Sequence, residues 1–592
     1  MDQYYDYNHK MKVKNKLFAP LYGVELGDGL FRRVFDDNRV FLTRLDMDRM
    51  RYWFDQKAGR HTDAEPYRGH FEDNLKGQTA YQALMGAGNA LRFADDPALR
   101  KIVDDIIGFI VDGAQENGFC MPVREEDFAY NEYPHYVRIW LTYGLIAAWR
   151  SGNEKAKELL RNWQDWFNQC VDLPAIKYLC LAFQGIVASP AVYMTPVGKP
   201  EDMEVTREYY EETWRLAQFM RKERDAVGFR FQPGTEPHAH GTELEAMEGY
   251  LDLYRYTGAN YFLHAVLGAW EMYYRDWRHL GSGIVMCEFQ EGAKPGSNYI
   301  DNSKPYNELC CTAFWMGLNQ RLHFLFPDEE KYVTEIEQSL YNIAFANQVG
   351  DELIRYFAYL HKSKDKGFHG GLNHCCCGVG TRIFGSLPEY LYTMSDDEIS
   401  VDIFARSRLL WRHNAETVTF DMDTDYPFDN GVRIAIGIKE VAKYQSHRFR
   451  LKIRVPSYAA GEMSVAVNGA EAAAATGSPG SYIILSRDWK DGDTIEFNVP
   501  IALTRTLYTG AAEVDGYDRY GYMYGPVLMA VRGEFNDENG ILLPESCSDL
   551  TTLKRNPQDK NFIFDIPGGK YQLVPYFTIN KEEFSCFPLT AK

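Results

Sequence analysis

Two short stretches carry the side chains best suited to chemistry: Glu308-Leu309-Cys310-Cys311, and His374-Cys375-Cys376-Cys377-Gly378-Val379-Gly380-Thr381-Arg382. They hold five of the chain's eleven cysteines. Adjacent cysteines rarely bond to each other and the total is odd, so the pattern reads as metal ligation or thiol chemistry in a reducing compartment rather than a disulfide framework. Each stretch precedes a strongly helical run, Phe314 to Phe326 and Ile383 to Tyr392. Both therefore sit near helix N-termini, where the helix dipole and unpaired backbone N–H groups favour thiolate over thiol. Three cysteines and one glutamate can complete a tetrahedral zinc site, and a purely structural zinc is the main rival reading because four protein ligands close the shell.

Other candidates carry less. Isolated cysteines such as Cys120 and Cys180 read as core packing. Pro237-His238-Ala239-His240-Gly241 places two histidines on a turn, which suits hydrogen bonding or substrate contact better than a second metal. Aromatic residues make up 15% of the chain, which fits sugar stacking and helix packing equally, so Trp140, Tyr143, Trp315 and Tyr356 take no role from sequence.

The elements that must position these residues fall into two regimes. A chain of 592 residues exceeds one ordinary core, so two or three domains are expected. From Gly77 to Tyr392 helix, short turn, helix units recur, with Leu99, Ile102, Val103, Ile106, Ile107 and Ile110 spaced along one buried face. The hairpins lack a fixed period, which favours a closed α/α toroid over an open solenoid. After Ser395 the period changes to alternation: Val432, Ile434, Ile436, Ile438, then Phe449, Leu451, Ile453, Val455, with turns at Asn468-Gly469 and Asp491-Gly492-Asp493. The expected fold is thus multidomain α and β: an (α/α)6 toroid catalytic domain over 1–394, a β-sandwich over 395–532, and a C-terminal β extension or second small β unit over 533–592.

Net charge narrows the partners. At −19, the chain lacks the basic field that phosphate backbones or anionic membranes require. No stretch approaches the roughly 20 apolar residues of a membrane span, and the N-terminus has neither region of a signal peptide, so a cytoplasmic location is expected.

The cysteine motifs resemble those of the cysteine-dependent β-L-arabinofuranosidases of glycoside hydrolase family 127 and their relatives. In that family a Glu-x-Cys motif opens a helix, and a later Cys-Cys pair is followed by a small-residue turn and an arginine; Glu308-x-Cys310 and Cys375-Cys376 with Arg382 match. Arg454-Val455-Pro456-Ser457-Tyr458, Val467-Asn468-Gly469, Trp489-Lys490-Asp491-Gly492-Asp493 and Tyr524-Gly525-Pro526 look like the family's sandwich signatures, in order. The resemblance implies zinc held by Glu308, Cys310, Cys375 and Cys376, with Cys375 as nucleophile of a retaining, exo-acting hydrolase for terminal β-L-arabinofuranosides or related furanosides. A small-molecule or oligosaccharide substrate follows, and a homodimer is compatible with it.

The resemblance also implies a general acid/base a short way upstream, leaving Glu288 and Glu291, with Glu288 preferred because Phe289 follows it. Two departures stand out. Cys377 intervenes before the small-residue turn, which leaves the register of the nucleophile open within Cys375–Cys377. Tyr143-Gly144 and Met247-Glu248 stand where Gly-His pairs are expected, which leaves room for a sugar other than arabinofuranose. A carboxylate-only glycosidase or lyase with structural zinc, and a non-catalytic carbohydrate-binding protein, are the alternatives.

Overall fold

The computed structural model describes residues 11–69, 75–128, 132–170, 258–278, 280–282, 308–362, 367–368, 371–413, 416–439, 447–470, 474–509, 513–555 and 562–592, together with Leu244, Met247, Glu248, Leu251, Tyr254 and Arg255. Its first part is helical: α1 (Leu30–Thr43), α2 (Met47–Lys57), α3 (Gln78–Ala90), α4 (Pro97–Gly113), α5 (Glu132–Arg150), α6 (Glu154–Cys170), α7 (Asn260–Met272), α8 (Leu309–Leu325), α9 (Lys331–Ser339) and α10 (Cys375–Gly385). Local chemistry sets the ends. Asp96 caps α4 by accepting from the Ala98 and Leu99 amides, and Pro97 takes the first helical position, where its missing N–H costs nothing. The six apolar positions read from the sequence are buried on this helix.

Helix α3 is buried along nearly its whole length because neighbours surround it. Its small residues let other backbones approach closely. A Cβ added at Gly88 would lie 2.6 Å from the Ala147 carbonyl carbon on α5, and one at Gly385 on α10 would lie 2.7 Å from the Gly86 carbonyl oxygen. The first seam packs α3 against α5, and the second holds α10, whose N-terminus carries Cys375, against α3.

The strand-rich part begins with β1 (Val24–Leu26), contributed by the N-terminal region, which pairs with Ser407–Leu409. That strand belongs to a seven-stranded sheet with Ser407–His413, Glu416–Thr424, Gly431–Lys439 and three further strands. A four-stranded sheet includes Glu398–Val401 and Arg448–Val455. The two meet at Phe449, where Trp411 packs edge-on with ring centroids 5.2 Å apart. The alternating apolar positions at 432–438 and 449–455 point into this core. Asn468 and Gly469 both take positive φ, as their turn requires.

A third sheet pairs Leu503–Leu507 with Tyr517–Tyr524, then Val527–Arg532 with Gln572–Pro575. It therefore takes strands from both sides of the boundary expected near residue 533. Its Phe584–Ser585 strand pairs with His361–Lys362, just ahead of α10 in sequence. Arg454, fully buried, joins the helical and strand-rich parts by contacting Glu330, at 3.1 Å, and Glu337. Among the described residues, no helix is long and apolar enough to cross a membrane.

Candidate functional site

The two cysteine stretches meet. Among the described residues, Glu308, Cys310, Cys375 and Cys376 form a group whose ligand atoms all lie within 4.8 Å of one another. Cys310 Sγ stands 3.2 Å from Cys376 Sγ, Cys376 Sγ 3.9 Å from a Glu308 carboxylate oxygen, and Cys375 Sγ 4.0 Å from Cys376 Sγ. Around a zinc ion with bonds of about 2.3 Å to sulfur, tetrahedral donors stand about 3.8 Å apart, which these separations bracket. The donor set fits the metal.

Helix starts position each member of this group. The cysteines lie within their helices rather than before them: Cys310 is the second residue of α8 and Cys375 the first of α10. His374 caps α10, its Nδ1 accepting from the Cys377 amide at 3.1 Å, which turns the chain so that Cys375 and Cys376 face α8. Glu308 forms an isolated bridge with Phe357, and the Leu309 amide donates to the Tyr356 carbonyl at 3.1 Å. This short pairing fixes the entry of α8 and brings the Tyr356 hydroxyl to 3.6 Å from Cys375 Sγ.

Glu308, Cys310 and Cys376 are buried, whereas Cys375 is part-exposed. Hydrogen bonds from Cys310 and Cys376 hold the Cys375 thiol well below the ordinary cysteine range, while burial drives Cys310 and Cys376 well above it. Cys377 lies outside the group of four, and burial pushes its thiol up to about 12.

The description "Beta-L-arabinofuranosidase, GH127 catalytic domain" matches residues 23–389, more than half of the chain, and that of the GH127 middle domain matches 398–501. The chain belongs to glycoside hydrolase family 127. A relative from Bifidobacterium longum, named a non-reducing end beta-L-arabinofuranosidase, is 21% identical over 76% of this chain and 75% of its own. The structure of a GH127 beta-arabinofuranosidase superposes with a TM-score of 0.73 at 17% identity, over 98% of both chains. A GH127 beta-L-arabinofuranosidase from Geobacillus stearothermophilus T6 gives 0.69 at 16% identity, over 96% of this chain and all of its own.

Other residues of this family 127 chain singled out from sequence fall in several places. Glu288, Glu291, His238, His240 and Cys180 lie outside the described residues. Cys120 is core. Trp140 and Trp315 are also buried, and the Trp315 indole N–H donates to Glu335 at 3.1 Å. Tyr143 has the Arg382 guanidinium 5.4 Å from its ring centre. Gly144 faces the Tyr81 carbonyl oxygen, 2.8 Å from an added Cβ, and Glu248 accepts from Arg321 at 3.1 Å. Sequence reasoning gave no role to Tyr356 or His374. Nothing in local spacing marks Tyr356, but a histidine directly ahead of the Cys-Cys pair is a signal for a helix cap.

Proposed function

We propose that this chain is a retaining, exo-acting glycoside hydrolase that removes a terminal β-L-arabinofuranose, or a related furanose, using the Cys375 thiolate as nucleophile. The observation that carries the reading is the convergence of Glu308, Cys310, Cys375 and Cys376 with only Cys375 reaching solvent. A bound zinc would keep the sulfurs anionic and damp their basicity, so that the nucleophile is ionised at neutral pH and can also leave.

Cys375 Sγ attacks the anomeric carbon as the aglycone departs with a proton from a carboxylic acid; water, activated by the same group as base, then breaks the carbon–sulfur bond and restores the thiolate. Glu288 is the residue we assign as that acid/base. Tyr356, 3.6 Å from the sulfur, is placed to hydrogen-bond it or the sugar oxygen that replaces solvent there. Helices that pack around α3, and facing sheets behind them, are what an (α/α)6 toroid buttressed by a β-sandwich would show. A reducing, cytoplasmic setting suits the site, since an oxidant would join sulfurs 3.2 Å apart.

A structural metal with carboxylate-only chemistry is the second reading, favoured by the four protein donors that alone fill a tetrahedral shell. Replacing Cys375 by Ala and measuring both metal content and turnover of an aryl β-L-arabinofuranoside separates the two. The nucleophile reading expects metal to remain while turnover falls on the order of 10⁴-fold or more. Turnover that survives the substitution would refute it.

A further inference from the structure

A buried side chain beside α10 has a hydrogen-bonding capacity that none of the described residues uses. Gln82 is 3% exposed, and neither its Nε2 nor its Oε1 has a hydrogen-bond partner among the described residues. A buried amide in that state is costly to keep. The fold nevertheless makes room for it. A Cβ added at Gly378 would lie 2.3 Å from Gln82 Cγ and Cδ, so α10 exposes bare backbone where the stem rests.

The neighbours of Gln82 on the same face of α3 are committed elsewhere. One turn earlier, the Gln78 Nε2 donates to Asn373 Oδ1 at 3.5 Å, and Thr79 Oγ1 donates to the same oxygen at 2.9 Å. One turn later, Gly86 faces Thr381. Among the described residues of this seam Gln78 Oε1 also lacks a partner, but only Gln82 has both ends of its carboxamide free. Along α10, Cys375, Gly378 and Arg382 are spaced three and four apart and share one face. Groups lying over Gly378 are one turn, about 4.5 Å along the axis, from the nucleophile position.

We propose that the Gln82 carboxamide is a specificity-determining group of the sugar site, accepting from one ring hydroxyl and donating to a neighbouring one. A sugar whose anomeric carbon stands about 3–3.5 Å from Cys375 Sγ has hydroxyls within reach of a group one helical turn away. A carboxamide offers the paired donor and acceptor that adjacent hydroxyls require. This rests on the glycosidase reading above, and the test keeps the two apart.

Gln82→Met keeps the stem and removes both hydrogen-bonding ends. With an aryl β-L-arabinofuranoside, kcat/KM should fall about 10–100-fold, with zinc content unchanged and a thermal midpoint equal to or above the parent's. Deoxy analogues lacking one ring hydroxyl should be poorer substrates for the parent but not for the variant, as a double cycle expects of groups in contact. Equal kcat/KM in both proteins, or equal penalties for the deoxy analogues, would overturn the assignment. Parent turnover tests the glycosidase reading by itself. Calorimetric binding of free L-arabinose tests Gln82 without turnover: at least tenfold weaker binding by the variant is expected, and equal binding, or none by either protein, overturns it.

Discussion

At the scale of single residues, the site depends on a few atoms whose positions are set by helix ends. His374 caps α10 through its ring nitrogen, so His374→Ala should cost about 1 kcal/mol of stability, the usual loss for an N-cap. It should also loosen Cys375, and denaturant unfolding together with turnover would register both. Cys376→Ala removes a fully buried member of the cluster and leaves Glu308 without the donor 3.9 Å away. Water cannot replace this buried sulfur as it can the part-exposed Cys375, so metal analysis of that variant should show zinc lost, and full occupancy would show that Cys376 is not a ligand.

The residue types of this cluster were legible in the sequence, because glutamate and cysteines at helix starts have few other uses. Its register was not. Cys375, Cys376 and Cys377 are indistinguishable by type, and what separates them is the angular phase of α10: Cys375 and Cys376 face α8, while the next residue turns away.

At the scale of elements, close backbone contacts pack α3 against both α5 and α10. Gly88→Ala would push a methyl to within 2.6 Å of the Ala147 backbone, which cannot rotate aside. The expected loss is about 1–3 kcal/mol, measurable by urea unfolding, and an unchanged midpoint would mean that α3 and α5 can separate freely. Amphipathic helices such as α4, and the alternating strands at 432–438 and 449–455, were readable from periodicity. Helix α3 was harder to place, because a helix buried on nearly every side carries no polar stripe to show which face meets which neighbour. The role of Gly144 was hidden for a related reason: a glycine needed for close packing looks, in sequence, like a position missing a functional side chain.

At the scale of the whole molecule, buried charges tie the helical part to the sheets. Arg454 is enclosed with Glu330 and Glu337, so Arg454→Met would strand two carboxylates and should cost about 3–5 kcal/mol. Nearby, burial alone would raise the Asp402 carboxyl, but His323 and the hydroxyls of Ser400 and Thr393 outweigh it and hold the group below its ordinary value. A depressed folded value adds stability that is present above the unfolded pKa, about 3.9, and is lost as pH falls through the lower folded one. Asp402→Asn should therefore flatten the acid limb of the stability profile, and an unchanged limb would place acid sensitivity elsewhere. The order of helical part then strands was legible from the change of period near Ser395. The pairing of Val24–Leu26 into the seven-stranded sheet was not, since a three-residue strand has no period of its own.

The central claim is that one sulfur of a metal-binding cluster forms the covalent bond to sugar. Acid-quenching the protein during turnover of an aryl β-L-arabinofuranoside, then mapping its peptides by mass, tests this most directly. The account predicts a single pentosyl adduct on Cys375 in protein containing one zinc per chain. A pentosyl group on an aspartate or glutamate instead would contradict it.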